Sequence, residues 1–284
     1  ALEAGFPAQR IHFHGNNKTE EEICFALENN VGHFVVDNFF ELETLDRLAA
    51  QQNKVADISL RIKPGIEAHT HEAVMTGQID SKFGFALETG EAMEAVKFAT
   101  KFRHVRLKGM HNHIGSQIFD IEPFKSAAKV MLEFMNQIRT ETGIVIEELN
   151  LGGGIGIKYV DSDKPVPYGY YMKEISHVVY QTCETLDFPV PYIFMEPGRS
   201  IVGEAGITLY RVGGIKEIPN IRTYVSVDGG MTDNPRYALY QSEYSVVVAN
   251  KANEPAVKKV TIAGRCCESG DLIQENTMIQ DVEV

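Results

Sequence analysis

The sequence predicts an α/β protein, an incomplete (β/α)8 barrel over residues 1–203 followed by part of a β domain over residues 204–284. Three observations carry this. Short β-rich runs alternate strictly with amphipathic helical stretches through the first domain, which argues for parallel strands joined by crossover helices. Polar and glycine-rich motifs fall just after the strand ends, where barrel enzymes build their sites. Beyond about Gly203 the β-rich runs continue without a good helix between them.

The predicted barrel strands are 10–14, 33–36, 57–63, 104–113, 144–151 and 191–195. Helical stretches lie between them at 19–28, 41–51, 88–102, 123–140 and 171–185. In the fourth stretch Phe124, Ala127, Ala128, Met131, Leu132 and Met135 recur at helical spacing. Six units are visible, so a closed barrel lacks two. The opening Ala1-Leu2-Glu3-Ala4-Gly5 reads as a helix end with its glycine cap, and upstream sequence is expected. In the β domain the runs 207–212, 222–227, 244–249 and 257–263 read as strands, punctuated by Gly213-Gly214 and Asp228-Gly229-Gly230. The C-terminus at Val284 also reads as incomplete.

Composition narrows the function. The formal net charge is −12, with 39 acidic against 27 basic residues and no basic run. That argues against a nucleic-acid partner. No apolar stretch approaches the ~20 residues needed to span a bilayer, and no signal peptide is present, so a cytoplasmic protein is expected. The four cysteines, Cys24, Cys183, Cys266 and Cys267, lack a Cys-x-x-Cys spacing and read as reduced thiols.

Four motifs carry the candidate chemistry. The strand 149–151 runs into Gly152-Gly153-Gly154. Consecutive glycines let backbone N–H groups converge on a phosphate, or simply make a tight strand-to-helix turn. His111-Asn112-His113-Ile114-Gly115-Ser116-Gln117 ends another strand. Its histidines could ligate a metal, but no matching cluster follows, and no metal is expected. The alternatives are a structural histidine, or an imidazole lying on a planar ligand while Ser116 donates to its phosphate. His69 and His71 read as solvated. Glu196-Pro197-Gly198-Arg199 is either a surface ion pair or a ligand clamp, in which Glu196 keeps a pyridine nitrogen protonated and Arg199 holds an anion. Cys267, flanked by Arg265, Glu268 and Asp271, is either a small hydrophobe or a proton-transfer group.

Taken in order, these clusters, with Asn234-Pro235-Arg236-Tyr237-Ala238-Leu239-Tyr240, resemble the signatures of the diaminopimelate decarboxylase family, pyridoxal-phosphate enzymes built on a TIM barrel of the alanine-racemase type. The resemblance spans nearly the whole chain. It implies decarboxylation of meso-diaminopimelate to L-lysine in lysine biosynthesis, with pyridoxal 5'-phosphate as cofactor. It further implies that His113 stacks on the cofactor ring. Ser116 and Gly152, Gly153 and Gly154 would cradle its phosphate, and Glu196 would meet the pyridine nitrogen. Gly198 and Arg199 would border phosphate and substrate. Arg199, Arg236, Tyr240 and Glu268 would grip the substrate's distal end, and Cys267 would donate a proton across a homodimer interface into a shared active site.

One departure matters. The family links its cofactor to a lysine in a Tyr-x-x-Lys-Ala-Asn-like motif, and no such motif occurs here; Lys18 and Lys82 match other positions. The family's late tyrosine near the phosphate is also absent. The 284-residue chain alone is therefore expected to be inactive. The rival readings are a decarboxylase of the same fold acting on arginine, ornithine or carboxynorspermidine, a non-enzymatic homologue that binds a partner protein, and a phosphate-sugar barrel enzyme without pyridoxal.

Overall fold

The computed structural model describes residues 1–66 and 80–284. The chain divides into two compact units, Ala1–Gly156 with Val166–Ile201, and Ile157–Pro165 with Val202–Val284. His69 and His71 lie outside the described residues.

The first unit is a parallel sheet wrapped by helices. In chain order its elements are β1 (His12–Phe13), α1 (Glu20–Glu28), β2 (His33–Val36), α2 (Phe39–Gln51), β3 (Ala56–Lys63), β4 (Phe85–Ala86), α3 (Glu91–Ala99), β5 (Val105–His111), α4 (Glu122–Thr142), β6 (Glu148–Asn150), α5 (Tyr168–Leu186), β7 (Tyr192–Phe194) and the short α6 (Arg199–Val202). The strands pair in the order β1-β2-β3-β5-β6-β7, with β4 joined to the end of β3, and every pairing is parallel. Along the main path β1-β2-β3-β5-β6-β7, with β4 set aside, each strand neighbours the next, as successive right-handed βα crossovers produce. The alternation of strand and helix predicted from sequence therefore stands, as does the incomplete barrel.

Local chemistry sets the helix starts. Thr19 and Glu22 form a reciprocal capping box at α1, and Asn38 accepts from the Glu41 amide at 2.9 Å to cap α2. The long α4 stops at Gly143, whose φ of 77° suits a glycine. Its apolar stripe, including Phe124, Ala128, Met131, Leu132 and Met135, is buried in one core with Ile58, Leu60, Met110 and Leu149 from the strands.

The second unit holds a four-stranded mixed sheet, ordered β11-β10-β9-β8, from β8 (Val212–Ile218), β9 (Arg222–Val227), β10 (Lys258–Ala263) and β11 (Leu272–Ile279), with the short α7 (Arg236–Tyr240) between β9 and β10. Two predicted strands are not formed. Residues 207–211 are not in a strand, and β8 begins only at Val212. Residues 244–248 lie outside the ladder because side-chain amides take their N–H groups: Tyr244 donates to Gln274 Oε1 at 2.7 Å and Val248 to Gln280 Oε1 at 2.9 Å. Conversely β11, unmarked in the sequence, forms despite its Gln-Glu-Asn-Thr centre, with a register shift opposite Val260–Ile262 and Asn276 at φ 52°.

Candidate active site

The carboxyl ends of β1, β5, β6 and β7 converge on one carboxylate. Glu196 follows β7, and its Oε1 takes hydrogen bonds from His14 Nε2 at 2.7 Å and Asn150 Nδ2 at 2.8 Å. Its Oε2 faces His111 Nε2 at 3.4 Å, a long contact that leaves acceptor capacity. The Glu196 amide donates to Gly152 O at 2.8 Å, which fixes the β7 loop against the glycine loop. About a third of the Glu196 side chain remains exposed.

Burial pushes the Glu196 carboxyl upward, but hydrogen bonds from His111 and His14 outweigh it and hold the group well below the usual carboxylate range. The imidazoles of His111 and His113 are lowered as well, but here burial itself is the main cause. Burial draws each down to about 4, against the pull of Glu196, so both are neutral at pH 7. Near this pocket Arg61 on β3 is buried beside Asp37, 3.9 Å away, with its guanidinium 4.1 Å from the centre of the Phe83 ring. Its charge helps to lower His113.

The glycine loop is shaped by close packing. A Cβ on Gly153 would stand 2.1 Å from Glu196 O, and one on Gly154 would stand 2.0 Å from Gly115 O. Gly152 and Gly154 also adopt φ of 68° and 98°. Two of the loop amides are directed within the protein, Gly152 N to Asn150 Oδ1 at 2.9 Å and Gly153 N to His113 Nδ1 at 3.3 Å. The loop thus sets the imidazole of His113. The Ser116 hydroxyl accepts from the Arg199 guanidinium. No Cβ contact constrains Gly198.

The residues singled out in the sequence fall into two groups. His113, Ser116, Gly152, Gly153, Gly154, Glu196 and Gly198 lie in the first unit on loops after β5, β6 and β7, and Arg199 begins α6. Arg236 and Tyr240 begin and end α7 in the second unit, where Cys267 and Glu268 are exposed on the β10–β11 turn. That turn and the loop before α7 share a buried carboxylate. Asp271 Oδ1 accepts from Met231 N at 2.6 Å and Oδ2 from Cys266 N at 2.7 Å.

Sequence reading missed His14, Asn150, His111 as a carboxylate partner, and Arg61. Asn150 had a usable signal, a polar residue ending an apolar strand, and His14 directly precedes the Gly15-Asn16-Asn17 loop. The metal alternative had paired His111 with His113. The ligand atoms that cluster within 4.8 Å, among the described residues, belong instead to His14, His111 and Glu196. Their 2.7 and 3.4 Å contacts are those of imidazole N–H groups facing a carboxylate.

The amine of Lys18, near this end, is already engaged. Lys18 Nζ is buried and bonded to Gly15 O at 2.7 Å, Val35 O at 2.8 Å and Glu41 Oε1 at 2.6 Å. It braces the loop behind His14.

A parallel βα sheet with a histidine-held carboxylate, a glycine loop and a Ser–Arg pair at its carboxyl end is the arrangement of the β/α-barrel enzyme class. Residues 1–203 match the family profile described as "Pyridoxal-dependent decarboxylase, pyridoxal binding domain", and the chain belongs to that family. It is 52% identical over 273 residues to a diaminopimelate decarboxylase of Staphylococcus aureus (strain COL), covering 96% of this chain and 63% of that protein. The corresponding Bacillus subtilis (strain 168) enzyme is 49% identical over 273 residues, with 96% and 62% covered. Among solved structures, the diaminopimelate decarboxylase of Helicobacter pylori complexed with L-lysine superposes with a TM-score of 0.86 at 32% identity, covering 99% of this chain and 67% of that one. The chain thus spans about 63% of the length of the first of these relatives. Among the described residues no helix is long and apolar enough to cross a membrane.

Proposed function

We propose that this chain forms the larger part of a diaminopimelate decarboxylase, releasing carbon dioxide from meso-diaminopimelate to give L-lysine. The observation that carries the reading is Glu196, a half-buried carboxylate that Asn150 hydrogen-bonds and that His111 and His14 keep ionised, within a pyridoxal-binding domain. A fixed negative charge there favours a protonated ring nitrogen.

The donor set fits the cofactor. Glu196 Oε2 retains acceptor capacity, and His113 offers a neutral, half-buried imidazole. Ser116 and Arg199 supply hydroxyl and guanidinium donors for a phosphate beside the glycine loop. Buried polar atoms without a partner among the described residues, His111 Nδ1 and the Asn112 amide, also lie at this end of β5. Bound there, pyridoxal phosphate would supply the electron sink for the pair left behind by departing carbon dioxide. Cys267 would then deliver a proton to that carbon. Arg199, Arg236, Tyr240 and Glu268 would hold the distal amino-acid group, whose loss in an analogue leaves buried polar groups unmatched. Presentation of Cys267 and Glu268 into the site of a second copy makes the working form a homodimer.

The test is lysine release from meso-diaminopimelate by catalytically active polypeptide containing these residues, with ornithine and arginine as competitors. Preference for ornithine or arginine would reassign the substrate. Undiminished turnover in Cys267→Ala would remove the proton donor.

A further inference from the structure

Arg236 packs into the corner formed by two aromatic rings. Its guanidinium carbon stands 4.2 Å from the centre of the Tyr159 ring and 5.7 Å from that of Tyr244. The two rings meet edge to face, 5.9 Å apart and at 75°. Both are tied down. The Tyr244 hydroxyl donates to Asn234 Oδ1 at 2.7 Å, and its amide to Gln274 Oε1 at 2.7 Å. The Tyr159 amide donates to Asp163 Oδ2 at 2.9 Å, while its carbonyl accepts from Ser245 Oγ at 2.6 Å. Tyr159 sits in Ile157–Pro165, the stretch that leaves the first unit's sequence to join the second unit.

Aromatic faces stabilise a guanidinium's charge without using its N–H donors, which point outward in its plane. The structure shows this consequence directly: Arg236 Nη1 is buried yet finds no hydrogen-bond partner among the described residues. A buried donor left in this state has given up its hydrogen bond to water without a replacement. An incoming carboxylate, planar and two-oxygened, supplies that replacement and matches the fork.

We infer that Tyr159 and Tyr244 are positioning residues for specificity, clamping Arg236 so that its in-plane donors meet a carboxylate at the substrate's distal end. This rests on the reading of Arg236 as a substrate-binding residue. A rotating guanidinium would accept many anions in many poses; a clamped one selects a planar carboxylate at one orientation.

Three measurements on active polypeptide containing this chain test it. In the wild type, the Arg236 Nε–H proton resonance is shifted upfield by the rings; Tyr159→Phe retains that shift and Tyr159→Leu loses it. Tyr159→Leu raises KM for diaminopimelate about 2- to 30-fold, the range of one cation–π contact, with kcat within about two-fold. Tyr159→Phe keeps KM near wild type. Arg236→Lys raises KM at least as much as Tyr159→Leu, because the fork is lost. An unshifted Nε–H in the wild type overturns the inference even where the Leu variant fails to fold. An unmoved KM in Tyr159→Leu, beside a raised KM in Arg236→Lys, overturns the inference alone. An unmoved KM in Arg236→Lys removes the substrate role of Arg236 and the inference with it.

Discussion

At the scale of single residues, charge and burial oppose each other at Glu196, and geometry decides. Replacing it by glutamine keeps the shape but removes the charge that His14 and His111 stabilise. Turnover in Glu196→Gln is expected to fall by about 10²-fold or more, a loss of the size typical for one acid–base or electrostatic group. Steady-state kinetics that change less than ten-fold would show that the charge is dispensable. Buried histidines give a second residue-scale expectation. Burial holds His33, His111 and His113 near pKa 4, below the ordinary 6.5. Between those values the unfolded chain binds protons that the folded chain does not. Their contribution to stability is therefore present above about pH 6.5 and lost as pH falls toward 4. His33→Gln should flatten this acid limb, so melting temperatures of variant and wild type converge between pH 6.5 and 4. Parallel curves would exclude His33 from the effect.

Among elements, two buried carboxylates act as braces. Lys18 and Glu41 form an ion pair with side chains 1% and 5% exposed, tying the loop after β1 to the start of α2. Lys18→Met strands the carboxylate and is expected to cost about 3–5 kcal/mol in urea unfolding, with Lys18→Met/Glu41→Leu recovering much of it. A double variant no more stable than the single one would show that the pair's shape matters beyond its charge. Asp271 explains two glycines at once, since a Cβ on Gly264 or Gly230 would stand 2.2 or 2.6 Å from its Oδ2. What the sequence reveals at this scale follows from period. α4 and α5 were legible because their apolar residues keep helical spacing over 21 and 19 residues. β11 was not, because Gln274, Glu275, Asn276 and Thr277 interrupt its apolar run, and the side chains of Gln274 and Glu275 find partners only in the fold. The same holds in the site. Glu196 and His113 stand out beside glycine motifs, whereas His14 acquires its meaning only when Glu196, far along the chain, arrives 2.7 Å away.

For the whole molecule, the shared-site proposal makes a quantitative demand. Glu196→Gln and Cys267→Ala proteins, each inactive, should regain about a quarter of wild-type activity when mixed and allowed to exchange subunits. Half of a random mixture is hybrid, and one of the two sites in each hybrid is intact. No recovery after proven exchange would place both residues in one copy's site. The sheet of the first unit carries a different consequence. Among the described residues β1 and β7 end the strand order, each with one neighbour, and β7 presents Tyr192 at 75% exposure. A strand with a bare flank offers its peptide groups to any extended segment that drifts past. Handled as an isolated polypeptide, this span should therefore clump more readily as it is concentrated, and a short peptide that zips along either margin should keep it dispersed.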